Sequence, residues 1–243
     1  QAKTLFPYTT LFRSVVDKAT KLESIHNRIH EIRTRFEVVL RDAQIAYLEG
    51  LLEGKEDKEL LRQRRMEAEA KLFDDFAFLA ECNIGGEFMD AKKIERLKEI
   101  AAITWTRHFD DRLGMSEAEH KRLQEIDAKP LPCQERLLED KPEHLIVRSH
   151  EIDEHIYSEL GITMKIPHYY NNLGELYNLS ITKGTLNDEE RYKINEHIIM
   201  SIRMLSELPF MDNLKKVPEY ACAHHETMKG TGYPRGLTKE QIS

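Results

Sequence analysis

The residues best suited to chemistry are two adjacent histidines, His224 and His225, which stand just before the glycine-rich segment 230–236. Imidazole is a common metal ligand near neutral pH, so two neighbouring imidazoles indicate a metal site. The segment reads GTGYPRG, whose glycines permit positive φ and a close backbone turn, while Pro234 stiffens the loop. The pattern predicts a metal site beside a tight loop on which the ring and hydroxyl of Tyr233 are exposed. A tight turn between helices, which also needs glycine, explains the same loop without any chemistry.

The run from His224 to Leu237 reads H-H-E-x-x-x-G-x-G-Y-P-x-G-L and closely resembles the signature of the HD-GYP family. This family consists of metal-dependent phosphohydrolases of the HD superfamily, best known as bacterial cyclic di-GMP phosphodiesterases. The resemblance extends over about residues 177–237. It implies that three histidines bind metal, namely His197, His224 and His225. It also implies a signature loop formed by Gly230, Gly232, Tyr233, Pro234 and Gly236.

The chemistry implied by the resemblance is hydrolysis of a phosphodiester, with cyclic di-GMP as the substrate. Two or three Fe or Mn ions would lower the pKa of a bridging water, orient it for in-line attack and neutralise charge on the phosphate oxygens. Histidine and carboxylate ligands suit these metals. In the family, the Gly-Tyr-Pro loop lies near the active site and is proposed to contact diguanylate cyclase domains, which are therefore expected as partners.

Three further residues are weaker candidates for metal ligands: Glu151, His155 and His168. The first two resemble an upstream E-x-x-x-H pair of the family, which places two ligands on one helix face. The His-Asp pair that names the family has no counterpart anywhere in the chain. An ungapped alignment places His168-Tyr169 at that pair, with Asn171-Asn172 where the family has Gly-Lys.

The departure at the His-Asp pair leaves two functions open, because tyrosine cannot replace a bridging carboxylate and asparagine cannot supply the charge of lysine. The first is a cyclic di-GMP phosphodiesterase that works in the intact parent protein, the present piece being inactive by itself. The second is a degenerate HD-GYP module that binds partners or nucleotide without hydrolysing it. Hydrolysis of another phosphate ester is a third, weaker hypothesis, since a fold does not fix its substrate.

Composition limits the class of protein. Of the 243 residues, 33% are charged and 40% hydrophobic, with few glycines and prolines, which favours a soluble, largely helical protein. The net charge of −7 and the lack of a strongly basic patch argue against a nucleic acid polymer as partner. The three cysteines are far apart and fit no zinc spacing, which indicates a reducing, cytoplasmic location. No apolar run approaches a membrane span, although the parent protein can carry an anchor upstream.

A heptad pattern predicts a long first helix. Its seam consists of Leu22, Ile25, Ile29, Ile32, Phe36, Val39, Ala43 and Ala46. Two arrangements account for the seam: a homodimer through a parallel signalling helix, or one arm of an antiparallel hairpin within the monomer. Gly50–Gly54 is expected to break this helix, and a second helix is expected from about Asp57 to Glu81.

Further helices are predicted from capping signals and apolar spacing. Their approximate ranges are Asp90–His108, Ser116–Ile126, Asn187–Glu207 and Val217–Glu226, followed by a helix start at Thr238. In the third of these, Ile194, Ile198, Ile202 and Leu205 are expected to face the core. The fourth is expected to present His224 and His225 near its C-terminal end. No segment shows a convincing strand period.

The fold class is therefore all-α: a long helical hairpin or signalling stalk followed by a partial HD-type helical bundle. Residues 15–128 are interpreted as a helical signalling region, 129–167 as an irregular connector and 168–243 as a partial HD-GYP domain cut at its C-terminus. Residues 4–14 read TLFPYTTLFRS, which resembles the translation of a sequencing adapter. Segment 1–14 is accordingly expected to be an artefact without biological function.

Overall fold

The computed structural model of the chain describes residues 28–85, 88–148, 152 and 154–242. The predictions for segment 1–14, for Leu22 and Ile25 of the heptad seam and for Glu151 lie outside the described residues. The described part is mostly helical, as predicted. Its α-helices are α1 (Ile29–Glu53), α2 (Lys58–Ile84), α3 (Ala91–Ala101), α4 (Glu117–Leu123), α5 (Glu154–Glu159), α6 (Glu175–Leu179), α7 (Asp188–Ser206), α8 (Val217–Cys222) and α9 (Lys239–Ile242).

Short strands accompany the helices. They are β1 (Thr104–Arg107), β2 (Cys133–Arg136), β3 (Leu145–Ile146) and β4 (Asn171–Asn172). Strand β1 pairs antiparallel with β2, and β3 pairs antiparallel with β4. Single 3-10 turns occur at Pro142–His144 and Asp212–Leu214. Within the described ranges, no helix combines the length and the apolar character that a membrane crossing requires.

The chain divides into two compact units. The first, called the hairpin unit, comprises the described residues up to His144 together with Leu173–Thr185. The second, called the site unit, comprises the described residues of 145–172 and 186–243. The domain boundaries expected from the sequence stay predictions.

Helices α1 and α2 form an antiparallel hairpin. The ring of Phe36 meets that of Phe76 with centroids 5.3 Å apart. Farther along α1, the guanidinium of Arg65 lies 4.8 Å from the centroid of the Tyr47 ring. Residue numbers therefore fall along α2 as they rise along α1. The hairpin predicted from the sequence is confirmed, whereas the homodimer stays a prediction.

The predicted helix break at Gly50 is wrong, because α1 continues through Gly50 to Glu53. A Cβ atom at Gly50 would lie 3.0 Å from a methyl of Leu61, so glycine serves close packing of the two helices there. Helix α1 ends at Gly54, whose positive φ of 66° is typical of a helix C-terminus. Its backbone N–H donates to the Gly50 carbonyl, and the next helix starts at the predicted place.

The core of the hairpin unit contains an apolar cluster drawn from its helices, from Met89 before α3 and from the segment after β2. Its members are Ile32, Phe36, Leu72, Leu79, Met89, Leu97, Ile100, Ala101, Leu137, Leu138 and Leu179. Beside it, the buried carboxylate of Glu175 accepts hydrogen bonds from the Arg35 guanidinium at 2.7 Å and from the Glu139 backbone N–H at 3.2 Å. A buried charge is tolerated when it is paired in this way.

The prediction of one helix from Asp90 to His108 is wrong beyond Ala101, where α3 ends. Strand β1 follows, with Thr104 opposite Arg136 and Arg107 opposite Cys133. β-branched and aromatic side chains favour the extended state, and β2 supplies the backbone partners that fix it. The sequence shows no convincing strand period at β1 or β2, so this pairing was not predicted.

The capping box predicted at Ser116 and the N-cap predicted at Asn187 are both confirmed. The Ser116 hydroxyl accepts from the Glu119 N–H at the start of α4, and the Asn187 side chain accepts from the Glu190 N–H at the start of α7.

The inward face of α7 was predicted less well. Ile198 is fully buried, but Ile194 is 47% exposed and does not face the core, because the buried face turns toward Ile199.

Candidate metal centre

The histidine pair lies in a turn after α8. This helix was predicted to reach Glu226 but ends at Cys222. The Ala221 carbonyl accepts a hydrogen bond from His224 Nδ1 at 2.6 Å. In a continuing helix that carbonyl would accept from the backbone N–H of His225, so the side-chain bond competes with the next helical bond. The Glu226 N–H instead donates to the Ala223 carbonyl at 2.9 Å and closes the turn.

The turn brings the pair to His197, which lies on α7 and is half-buried. The three histidines each offer a ring nitrogen, and these three atoms all lie within 4.8 Å of one another. The Nε2 atoms of His197 and His225 are 3.2 Å apart. The rings of His224 and His225 have centroids 4.0 Å apart. The structure therefore assembles the three histidines that the signature resemblance singled out.

Hydrogen bonds to carbonyls define which nitrogens are free to bind metal. Nδ1 of His197 is bonded to the Ile194 carbonyl, as Nδ1 of His224 is to that of Ala221. A carbonyl oxygen only accepts, so both Nδ1 atoms carry the hydrogen. In the neutral rings Nε2 then holds a lone pair. Metal-binding histidines usually donate their second ring nitrogen to a carbonyl or carboxylate in this manner.

The donor set fits a divalent cation. The Nε2 atoms of His197 and His225 are 3.2 Å apart, so a hydrogen on His225 Nε2 can bond to the lone pair of His197 Nε2, and a cation that replaces this hydrogen would be bound by both nitrogens. Imidazole nitrogens that bind one ion at about 2.1 Å are separated by about 3 Å. Burial, and then the neighbouring His224 and His197, lower the pKa of His225, which favours the neutral form that binds metal. The geometry does not select among metals.

Glu226 is a further residue of the site, to which sequence reasoning gave no role. Its Oε1 accepts from the backbone N–H groups of Arg235 at 2.7 Å and Gly236 at 3.2 Å. Its Oε2 accepts from the N–H of Leu237 at 2.8 Å. The carboxylate thus binds three consecutive amides of the glycine-rich loop. The only signal in the sequence was its position, immediately after the histidine pair.

The loop packs directly on the histidine turn. A Cβ atom at Gly232 would lie 2.4 Å from Glu226 Cα and 2.5 Å from the His225 carbonyl oxygen, so only glycine fits. The next residue, Tyr233, stacks on the His225 ring at 4.6 Å with an interplanar angle of 16°. The expected exposure of Tyr233 is therefore wrong: the side chain is half-buried, and burial raises its pKa.

The other side of the loop is bound by the segment after α5. The Thr163 N–H donates to the carbonyl of Pro234 at 2.8 Å, and Pro234 is fully buried. Arg235 donates from Nε to the Leu160 carbonyl at 2.8 Å. Gly236 has a φ of 68°, as expected for a glycine in a tight turn. The loop is consequently held from both sides by hydrogen bonds to its backbone.

The weaker ligand candidates do not join the three histidines. His155 lies on α5 and is exposed, and its Nδ1 lies 3.4 Å from a carboxylate oxygen of Glu159. His168 is exposed, and its ring meets that of Tyr169 edge-on at 4.6 Å. The role proposed for these two residues, and for Glu151 outside the described part, stays a prediction.

Charged and aromatic side chains lie near His197 on α7. Glu196 is half-buried, and burial raises its pKa although Arg148 and Lys193 act in the opposite direction. The Lys193 ammonium lies 3.9 Å from the centroid of the Tyr170 ring. The hydroxyls of Tyr192 and Tyr157 are 2.6 Å apart and connect α7 to α5. These contacts fix the helix that carries the half-buried histidine.

Comparison with known families agrees with this geometry. Residues 132–243 match the HD domain family, and the matched region contains all three histidines and the whole glycine-rich loop. The match supports an HD-superfamily, metal-dependent phosphohydrolase. No curated protein and no solved structure matches the chain significantly.

Proposed function

We propose that the chain carries an HD-GYP-type phosphodiesterase domain that hydrolyses cyclic di-GMP in the intact parent protein. The observation that carries this proposal is the convergence of His197, His224 and His225 within 4.8 Å. The glycine-rich loop of the HD-GYP signature packs on the same histidines, with Tyr233 stacked on His225. The match of residues 132–243 to the HD domain supports the broader class.

The reaction adds water across a P–O bond of the cyclic dinucleotide. The water oxygen bonds to phosphorus, and the displaced ribose oxygen takes up a proton and leaves as a hydroxyl, so the product is a linear dinucleotide with a terminal phosphate. Bound metal ions would supply an activated water and positive charge at the phosphate oxygens. The chain itself is acidic, with a net charge of −7, so an anionic substrate depends on such local charge.

The residues of the chain have defined tasks in this scheme. Ring nitrogens of the three histidines would hold the metal, and the carbonyls of Ile194 and Ala221 fix two of the rings. Tyr233 covers one face of the His225 ring and excludes water from it. The histidine donors suit both Fe and Mn and do not distinguish between them. The assignment of Fe or Mn therefore rests on the HD-GYP resemblance.

A second candidate function is a module that binds a partner or nucleotide without hydrolysis. It is favoured by the absence of a His-Asp pair from the sequence. The aligned segment continues into β4, where Asn171 and Asn172 pair with Ile146 and Leu145. Tyr169, at the position of the aspartate, cannot supply a metal-binding carboxylate, and Asn172, at the position of the lysine, cannot supply a positive charge for phosphate. The contact between the loop and diguanylate cyclase domains is a proposal common to both candidates.

The experiment that separates the two candidates combines metal content with turnover. The full parent protein is produced with Fe and Mn supplied, and its metal content is measured by plasma mass spectrometry. Hydrolysis of cyclic di-GMP is followed by chromatography. The test variant is His224→Ala with His225→Ala. The matched control is His108→Ala with His120→Ala, since both of these histidines are exposed and lie in the hairpin unit.

Bound metal and hydrolysis in the wild type and the control, both lost in the test variant, would support the phosphodiesterase. Metal without turnover would favour the non-hydrolysing module. A wild-type protein that contains no more metal than the His224→Ala, His225→Ala variant would refute the metal-dependent function at this site.

A further inference from the structure

We infer that Glu226 is a positioning residue that fixes the orientation of the His225 ring by holding the glycine-rich loop against it. This inference deepens the proposed function and rests on it insofar as His225 is taken to bind metal. Glu226 does not belong to the group of side chains whose ligand atoms converge. Its effect on the site is therefore indirect and passes through the loop.

The carboxylate is fully engaged with the loop backbone. It binds the N–H groups of Arg235, Gly236 and Leu237 at 2.7, 3.2 and 2.8 Å. Hydrogen bonds to an ionised acceptor are stronger than those between neutral groups. Three consecutive amides directed at one carboxylate define the course of the chain at the end of the loop. The acidic side chain consequently acts as an anchor for residues 235–237.

The anchored loop in turn fixes His225. Tyr233 lies two residues before the first anchored amide, and its ring stacks on the His225 ring. The Tyr233 backbone N–H donates to the His225 carbonyl at 3.3 Å. Because Gly232 lies in contact with the backbone of His225 and Glu226, the loop cannot approach more closely. A release of the anchored end therefore frees the ring that covers His225.

The stacking of Tyr233 on His225 controls the direction in which the metal-binding nitrogen of His225 points. Among the described residues, no carbonyl accepts a hydrogen bond from Nδ1 of His225, in contrast to Nδ1 of His197 and of His224. Its ring contacts instead the Tyr233 face, at 4.6 Å, and His197 Nε2, at 3.2 Å. The loop thus replaces the carbonyl that orients the other two rings. Glu226 is the side chain that keeps the loop in this position.

The test uses the full chain with three variants. Glu226→Ala removes all three acceptor contacts. Glu226→Gln retains one carbonyl oxygen but loses the charge and directs an NH₂ group at one of the amides. Glu219→Ala is the control, because Glu219 is an exposed carboxylate on α8, in the same unit.

The first measurement is the NMR spectrum of the histidine rings, with His225 assigned by His225→Ala. In the wild type, the stacked Tyr233 ring shifts the carbon-bound ring protons of His225 upfield. We expect Glu226→Ala to abolish this shift, Glu226→Gln to reduce it and Glu219→Ala to leave it unchanged. Folding of each variant is checked by circular dichroism, and if Glu226→Ala does not fold, the glutamine variant decides.

The second measurement is a titration with Co²⁺, followed by its visible absorption. Loss of a residue that orients a metal ligand weakens binding about 10- to 100-fold. We expect a loss of this size in both Glu226 variants and none in Glu219→Ala. A purely structural role would lower the melting temperature without changing Co²⁺ affinity well below it.

Unchanged His225 resonances in Glu226→Gln would overturn the inference, as would wild-type Co²⁺ affinity in that variant. Failure of the proposed function gives a different result. In that case the wild-type protein binds no Co²⁺ at the histidines, while the His225 resonances still respond to substitution of Glu226. The two ideas are thus tested separately.

Discussion

Leu79, Leu97 and Leu137 of the hairpin unit have no solvent-exposed surface, whereas His225 and Tyr233 of the site unit are only half-buried. The hairpin unit has an apolar cluster to which its main helices contribute. In the site unit, full burial of aliphatic side chains is concentrated on α7, at Ile198, Ile199 and Ile202. The loop and the histidine turn are held chiefly by hydrogen bonds to backbone groups.

The difference shows how one chain combines two kinds of order. Apolar burial gives large, non-directional stabilisation that tolerates small shifts of the buried groups. Hydrogen bonds to backbone amides give less free energy but define direction, which a ligand-binding ring needs. In the site unit, the hydrogen bonds of Glu226 and the close contact at Gly232 therefore fix the position of the loop. In the hairpin unit, buried leucines stabilise the fold.

Leu97→Ala should have the largest effect on stability. Leu97 is fully buried in the apolar cluster of the hairpin unit, so its truncation should cost about 2–5 kcal/mol of unfolding free energy. Urea denaturation followed by circular dichroism measures this loss. The control is Leu52→Ala, because the Leu52 side chain is 87% exposed near the end of α1. Equal losses in the two variants would contradict the assignment of the core.

Gly232→Ala should have a smaller effect on stability but should disrupt the site. The added Cβ would lie 2.4 Å from Glu226 Cα, 2.5 Å from the His225 carbonyl oxygen and 2.6 Å from the Thr227 nitrogen. These are backbone atoms, so the loop must move, and we expect a loss of about 1–3 kcal/mol together with weaker Co²⁺ binding.

Gly114→Ala is the matched control for Gly232. Gly114 has a φ of 78° and open space around its Cα, so the substitution introduces backbone strain without a clash. It should leave Co²⁺ binding unchanged. If Gly232→Ala binds Co²⁺ as tightly as Gly114→Ala does, the loop does not constrain the histidines.

The smallest effect concerns the acid stability of the hairpin unit. Burial tends to raise the pKa of Glu135, but Lys141 and Arg107 outweigh burial and hold that pKa below its ordinary value. Since the folded pKa is lowered, this stabilisation is present above the unfolded pKa of about 4.3 and is lost as pH falls through the folded pKa.

Urea unfolding of the wild type and Glu135→Gln between neutral and acidic pH tests this dependence. Other carboxylates titrate in both proteins, so the difference between the two unfolding free energies isolates Glu135. That difference should shrink below the unfolded pKa. A difference that stays constant down to the lowest pH would show that the ion pairs with Arg107 and Lys141 do not stabilise the fold.

Local signals in the sequence predicted the parts of the fold that depend on local interactions. Ser116 and Asn187 start helices because each caps backbone groups within its own first turn. The sequence failed where a distant partner decides. Thr104–Arg107 is a strand because Cys133–Arg136 lies beside it, and no local pattern contains that information.

As with the fold, the sequence predicted only part of the candidate site. The three histidines were identified from a motif, and the structure brings them together. The histidine pair was predicted to lie on the helix but lies in the turn after it, because the hydrogen bond from His224 to the Ala221 carbonyl ends α8 early. The role of Glu226 depends on amides nine to eleven positions along the chain, which only the folded loop brings to its carboxylate.

The contact at Gly232 has a consequence at the level of the gene. Any change in the first or second base of a glycine codon replaces glycine by a residue with a Cβ atom or by a stop. At position 232 every such replacement meets backbone of the histidine turn. In a saturation library selected for the function of this site, the 232 codon should therefore tolerate third-base changes that keep glycine and almost nothing else.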